Sequence, residues 1–166
     1  MTDHVHQRHV APQILDRPRE LIVACVPTRS NVNVSQIART AGVCAIERLV
    51  LTGNANLISK IARDGADSLE VSIHRTLLPV LLRLKKDGYK LVGLEQTSNS
   101  QSLHDHAFER RTVLVVGNER LGLPEDILAV LDDVVEIPIW GLPHSYNLAT
   151  ATNMALYEYC KQYPKG

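Results

Sequence analysis

Neither sign of charge is in excess in this chain: eighteen Lys and Arg face eighteen Asp and Glu, a formal net charge of zero over 166 residues. A purely electrostatic binder of polyanions is excluded, although a local basic face would not register in the total. Cysteine is scarce. Cys25, Cys44 and Cys160 lie far apart with no CxxC spacing, and an odd count without a secretory signal points to a reducing cytoplasm and buried thiols. The apolar runs are no longer than strands, so no membrane span is expected. There is no repeat, long linker or low-complexity tract to mark off a second domain. The expectation is a soluble cytoplasmic protein with a mobile tail over residues 1–18 and one domain over residues 19–166. The tail carries His4, His6 and His9, but Cys or carboxylate partners at ligand spacing are missing, so no metal site is expected.

What the chain does have is alternation. "LIVACV" (21–26), "RLVL" (48–51), "LEVSI" (69–73), "KLVGL" (90–94), "TVLVV" (112–116) and "VVEIP" (134–138) read as strands. Most lack polar alternation, which predicts a largely parallel sheet covered on both faces. Helical patterns lie between them at 34–43 after an Asn33 cap, at 56–63, at 76–88 and at 124–131, with a last helix over 146–162. An α/β fold with helices on both faces of the sheet follows.

In such a sheet, ligands gather at the carboxyl ends of the strands. Three loops expected there carry polar residues that core packing does not require. The first, "RSNVNVSQIART", places Asn33 six residues before Arg39; an Arg in this apolar stretch is either a phosphate ligand or a surface side chain lying over the helix. In the second, "VVGNERLGLP", Gly117 and Gly122 flank Glu119. The glycine spacing resembles a phosphate loop, but Leu123 and Pro124 stand where Lys and Ser or Thr are needed, and GxGxxG is absent too. The third, "IPIWGLPHSYNLATAT", is stiffened by Pro138 and Pro143 and brings Ser145 and Asn147 to a helix start. Either residue alone reads as a cap; together the loop can present backbone groups to a small ligand.

The three motifs, Asn-x5-Arg-Thr, then G-N-E-x-x-G-L-P, then I-P-x-x-G-x-x-x-S-x-N, occur in the order that marks the SpoU-type RNA ribose 2'-O-methyltransferases of the SPOUT superfamily, which this chain closely resembles from about Leu21 to Gln162. "NVSQIARTA" and "LVGLEQTSNS" are similar to the tRNA guanosine-18 enzymes of that group. The resemblance implies a C-terminal trefoil knot, S-adenosylmethionine as cofactor, RNA (tRNA first) as substrate, a homodimer and no metal. It implies cofactor contacts from Leu94, Gly117, Ile137, Leu142, Tyr146 and Leu148, with Gly117 letting the backbone approach the cofactor. It implies a catalytic set of Arg39, Asn33, Glu119, Ser145 and Asn147. The chain departs from the pattern at Tyr146, where leucine is usual, and at Ala45, near a usual glycine; the extra helices flanking the bacterial tRNA enzymes are short or missing.

The implied reaction moves an activated methyl group to a ribose 2'-hydroxyl. A guanidinium is a poor base at neutral pH, so Arg39 is assigned to gripping the adjacent phosphate and the forming alkoxide, with Arg39 as the literal base left open. Arg29, Arg48, Arg63, Arg110, Arg111 and Arg120 are further phosphate contacts, shared across a two-fold dimer through the apolar side of the last helix. The alternatives are a ribosomal RNA ribose methyltransferase, a non-catalytic RNA-binding or assembly factor on the same fold and, from another class, a flavodoxin-like signalling domain, whose phosphate-loop or acidic-triad signals are absent.

Overall fold

The computed structural model describes residues 3–166. Its strands are β1 (Leu21–Cys25), β2 (Arg48–Thr52), β3 (Glu70–His74), β4 (Lys90–Leu94), β5 (Gln101–Ser102), β6 (Thr112–Val116) and β7 (Asp133–Glu136). They form one sheet in the order β3-β2-β1-β6-β4-β7-β5, and every pairing in it is parallel. The helices are α1 (Asn31–Val43), α2 (Ser59–Ala62), α3 (Leu78–Lys86), α4 (Glu125–Leu128) and α5 (Leu148–Gln162). The expected α/β class and parallel sheet are observed. The two-residue β5 was not expected; it pairs only with β7 at the edge and is too short to leave a sequence pattern.

Continuous apolar runs mark the central strands because both faces are covered. Leu21, Val23 and Cys25 of β1 enter a core with Val34, Ile37, Leu156 and Tyr159 of α1 and α5. The intervening Ile22 and Ala24 enter a second core with Leu81 and Leu84 of α3 and Ile127 of α4. Each such Leu, Ile or Val contributes roughly 1.5–3 kcal/mol by leaving water. The sheet is therefore a wall between two apolar layers, and its carboxyl rim is free to carry polar loops. Among the described residues no helix is long and apolar enough to cross a membrane, and no three His, Cys, Asp or Glu come together as a metal site.

Helix boundaries correct the expected ones in an informative way. Helix α1 begins three residues earlier than expected, because Ser30 is its cap and accepts a hydrogen bond from the Asn33 N–H at 3.3 Å. Asn33 is not a cap. It sits in the first turn with a buried side chain, free to bond elsewhere. Helices α2 and α4 are single turns, shorter than their apolar patterns suggested. Residues 3–14 are exposed, whereas the buried Arg19 donates to the carbonyls of Cys44 and Tyr163, both at 2.9 Å, and ties the strand entry to the ends of α1 and α5.

Helix α1 closes in a Schellman motif: Ala45 N–H bonds the Gly42 carbonyl at 3.0 Å and Ile46 N–H the Ala41 carbonyl at 3.2 Å, with Ile46 buried beneath. The turn requires a left-handed residue, and Ala45 supplies it at φ 48°. A Cβ there costs about 1–2 kcal/mol, more than the roughly 0.5–1 kcal/mol of extra chain entropy a glycine carries. Ala45→Gly is therefore expected to stabilise the fold by about 0.5–1 kcal/mol and to raise the thermal midpoint by roughly 2 °C. A lower midpoint in a calorimetric scan would refute this.

Candidate active site

The carboxyl ends of β4, β6 and β7 and the start of α5 enclose a cleft of about 300 Å³. Leu94, Ile137, Leu148 and Ala151 form its apolar walls, and Glu95, Gln96, Glu119, Glu136 and Ser145 its polar ones. One wall is the turn that follows β6. Asn118 and Gly122 exchange two backbone hydrogen bonds at 2.9 and 3.0 Å, and the Asn118 carboxamide oxygen accepts from the N–H groups of Arg120 and Leu121 at 2.9 and 3.2 Å. A Cβ on Gly117 would lie 2.6 Å from the Gly122 carbonyl carbon, so closure of the turn itself demands this glycine. That adds a second reason for Gly117: it lines the cleft, and its own chain also approaches it closely. Gly122 adopts φ +66°, and a Cβ there would meet a Glu95 carboxylate oxygen at 2.4 Å. The same carboxylate accepts from Leu123 N–H and Gln96 N–H, both at 3.0 Å.

Beside the cleft, Glu119 joins the three loops. Its carboxylate accepts from the backbone of Arg29 at 2.8 Å, from the backbone of Ser30 at 3.0 Å and from the Asn33 carboxamide at 3.0 Å. Partial burial pushes the carboxyl upward, but the bonds from Arg29, Ser30, Asn33 and its own N–H outweigh it and hold Glu119 below the usual glutamate range. It is therefore an anion at neutral pH. Asn33 then accepts from the Asn147 carboxamide at 3.1 Å, while Asn147 caps α5 by accepting from Ala149 and Thr150 N–H at 2.9 and 3.2 Å. Asn118 adds a bond to the Pro27 carbonyl at 2.8 Å.

Three of the five expected catalytic residues, Asn33, Glu119 and Asn147, are thus one hydrogen-bonded chain, and Ser145 lies on the cleft wall. Arg39 stands apart. It is exposed on α1, is absent from the cleft lining, and packs by its backbone against Gly65, where a Cβ would meet the Arg39 Cα at 2.9 Å. Of the expected cofactor contacts, Leu94, Gly117, Ile137, Tyr146 and Leu148 line the cleft. Leu142 does not; it is 79% exposed on the adjoining surface, because the loop turns outward from Trp140 to His144. Arg110 and Arg48 are engaged internally, by Glu20 and by Glu47 with Glu70, and Arg111 lies over the Tyr89 ring. All three guanidiniums thus have partners within the chain. Sequence reading missed Glu95, Gln96 and Glu136; the signal available was a polar residue directly after, or ending, an apolar strand.

Glu119→Gln keeps the shape but turns an N–H₂ group toward donors, leaving at least one unmatched, a loss of about 1–3 kcal/mol. Because the folded carboxyl titrates below its unfolded value, its contribution is fully present above the ordinary glutamate range and is lost as pH falls through the folded value. Unfolding midpoints of both proteins should differ at pH 7 and converge in acid. A pH-independent difference would refute the role of its charge.

The family model described as the SpoU rRNA Methylase family matches residues 20–157. A tRNA (guanosine(18)-2'-O)-methyltransferase of Aquifex aeolicus is 30% identical over 151 residues, which are 88% of this chain and 71% of that protein. A mouse tRNA (guanosine(18)-2'-O)-methyltransferase is 36% identical over 86 residues, 52% of this chain but only 5% of the far longer mouse protein. The crystal structure of the A. aeolicus TrmH/SpoU tRNA modifying enzyme superposes with a TM-score of 0.83 at 26% identity, covering 89% of this chain and 77% of that one. With the family model spanning all three loop motifs and the sheet that carries them, the chain belongs to the SpoU methylase family.

Proposed function

We propose that this protein transfers a methyl group from S-adenosylmethionine to a ribose 2'-hydroxyl of RNA in the cytoplasm, with a tRNA D-loop guanosine as the substrate. The observation that carries the reading is the Glu119–Asn33–Asn147 chain, which gathers all three polar loops at the mouth of one cleft. A non-catalytic fold relative has no need of that arrangement. The guanosine assignment draws on the activity named for the relatives.

The cleft suits the cofactor. Its volume is at the lower end for small-ligand sites, its apolar walls suit an adenine and a methylene chain, and Glu119, Glu95 and Glu136 are carboxylates beside a ligand that carries positive charge. When bound, S-adenosylmethionine supplies a methyl group already activated by its sulfonium. The chain's residues then have to orient and to handle charge. Leu94, Gly117, Ile137, Tyr146 and Leu148 hold the ligand. Glu119 fixes Asn33 and Asn147, and Ser145 offers a hydroxyl at the reacting end. This reading includes a C-terminal trefoil knot, in keeping with the second and third loops lining one cleft.

Arg39 acts on the RNA: its guanidinium grips the phosphate next to the target ribose and stabilises the forming alkoxide, while the proton leaves with help from that phosphate. Its position outside the cleft of its own chain fits a two-fold dimer in which it serves the other protomer's cleft. Exposed Met154 and Tyr157 on α5 supply an apolar surface for such a dimer. Light scattering is expected to give about twice the 18.4 kDa chain mass; a monomer that still methylates RNA refutes the shared site.

Arg39→Ala should leave S-adenosylhomocysteine affinity within a few-fold and lower methyl transfer by at least ~100-fold. Arg39→Lys should restore little, because a point charge does not reproduce a bidentate grip. The assay is tritiated methyl transfer to unmodified tRNA and, in parallel, to ribosomal RNA. Transfer only to ribosomal RNA replaces the substrate; no transfer to either RNA favours the non-catalytic reading.

A further inference from the structure

The loop from Pro138 to Ser145 leaves large apolar side chains in water beside the cleft. Trp140 is 82% exposed and Leu142 79%. They border a shallow hollow of about 510 Å³, lined by Gln96, Ile139, Trp140, Gly141, Leu142 and His144. Two of these residues, Gln96 and Ile139, also line the cofactor cleft, so the two spaces adjoin. The His104 ring stands 6.5 Å from the indole, tilted by 39°, and supports one side of it.

Scattered exposed apolar residues need no explanation. A tryptophan held at the lip of a cleft, with an open flank, is a different case. The geometry points to Trp140 as a stacking platform for a base of the substrate RNA next to the methylated nucleotide. The inference rests on the methyl-transfer reading above. A D-loop nucleotide lies in an unpaired stretch of RNA, and the unstacked bases of such a stretch are received by aromatic faces. The hollow is one step from the cleft, where a neighbouring nucleotide must lie if the target ribose is at the cleft mouth. Its lining carries no acidic residue, so a phosphodiester strand meets no repulsion there. Stacking also tolerates sequence, so the contact raises affinity for RNA without choosing the base.

Trp140 is the only tryptophan in the chain, so indole emission reports this position alone. With the full chain and saturating S-adenosylhomocysteine, unmodified tRNA transcript is expected to quench that emission, while S-adenosylhomocysteine alone leaves it unchanged. Trp140→Ala should raise KM for tRNA roughly 10-fold, the scale of one lost base stack, with kcat within about two-fold of wild type. Trp140→Phe should recover most of the loss. Quenching by S-adenosylhomocysteine alone would make the ring a cover for the cofactor, and emission that shifts with protein concentration would make it a contact between copies; either overturns the proposal. So does methyl transfer that proceeds with emission and KM unmoved, an outcome that leaves the function intact. Absence of both transfer and S-adenosylhomocysteine binding removes the function, and this inference falls with it.

Discussion

A single carboxylate meeting two backbone N–H groups and one carboxamide holds the site together. Glu119 belongs to the turn after β6, and its donors belong to the loop after β1 and the first turn of α1. Through Asn33 the same network reaches Asn147 and the start of α5. Hydrogen bonds to an ionised acceptor contribute more than neutral ones, and this one is shielded enough to keep its donors yet wet enough to stay ionised. Apart from the bond from the Asn118 carboxamide to the Pro27 carbonyl, nothing else of side-chain origin described at the rim joins these loops, which follow separate strands of the sheet. Order at the carboxyl rim is therefore electrostatic in origin, on a scaffold whose order is hydrophobic.

Much of this was legible in the sequence. Apolar runs located all the long strands to within a residue or two because strands buried on both faces cannot hide their composition. The loops were legible because Asn, Glu, Ser and paired glycines had no packing reason to be there. What stayed hidden is what depends on three-dimensional closure. Gly117 looked like an opening for a ligand, and only the position of Gly122 reveals that the turn closes on itself. Asn33 read as a cap because asparagine caps helices well, while Ser30 three residues earlier does so here. Arg39 was expected beside the other polar residues; from Asn33 it is six helical positions along α1, which turns it well round the helix axis from the buried face of Asn33.

Three segments illustrate where local signals run out. β5 is two residues long and exists because Gln101 and Ser102 lie alongside β7, a matter of placement rather than propensity. Helix α2 carries an apolar pattern twice its observed length, but Asn56 and Ile58 are drawn off to bond α1, where the Asn56 N–H meets the Asn31 carboxamide at 3.0 Å and the Ile58 N–H the Ser35 hydroxyl at 2.8 Å. The outward turn at Leu142 takes out of the cleft lining a residue that the family resemblance assigned to it.

The alternation of β1 and β6 between two cores separates consequences as well as side chains. Substitutions under α3, at Leu81 or Leu84, act on a layer that meets the α1 and α5 layer only across strand backbone. Distant sites without shared partners add nearly independently in free energy. Away from Val26 and Leu123, which carry that layer up to the rim, the α3 side is thus a reserve of stability that drift or engineering can draw on. On the opposite side, the helix bearing Asn33 and the helix capped by Asn147 rest on the same layer, so a change in volume there reaches the polar chain directly. The protein is mechanically two-sided: one face tunes how long the fold lasts, the other how accurately the loops are held.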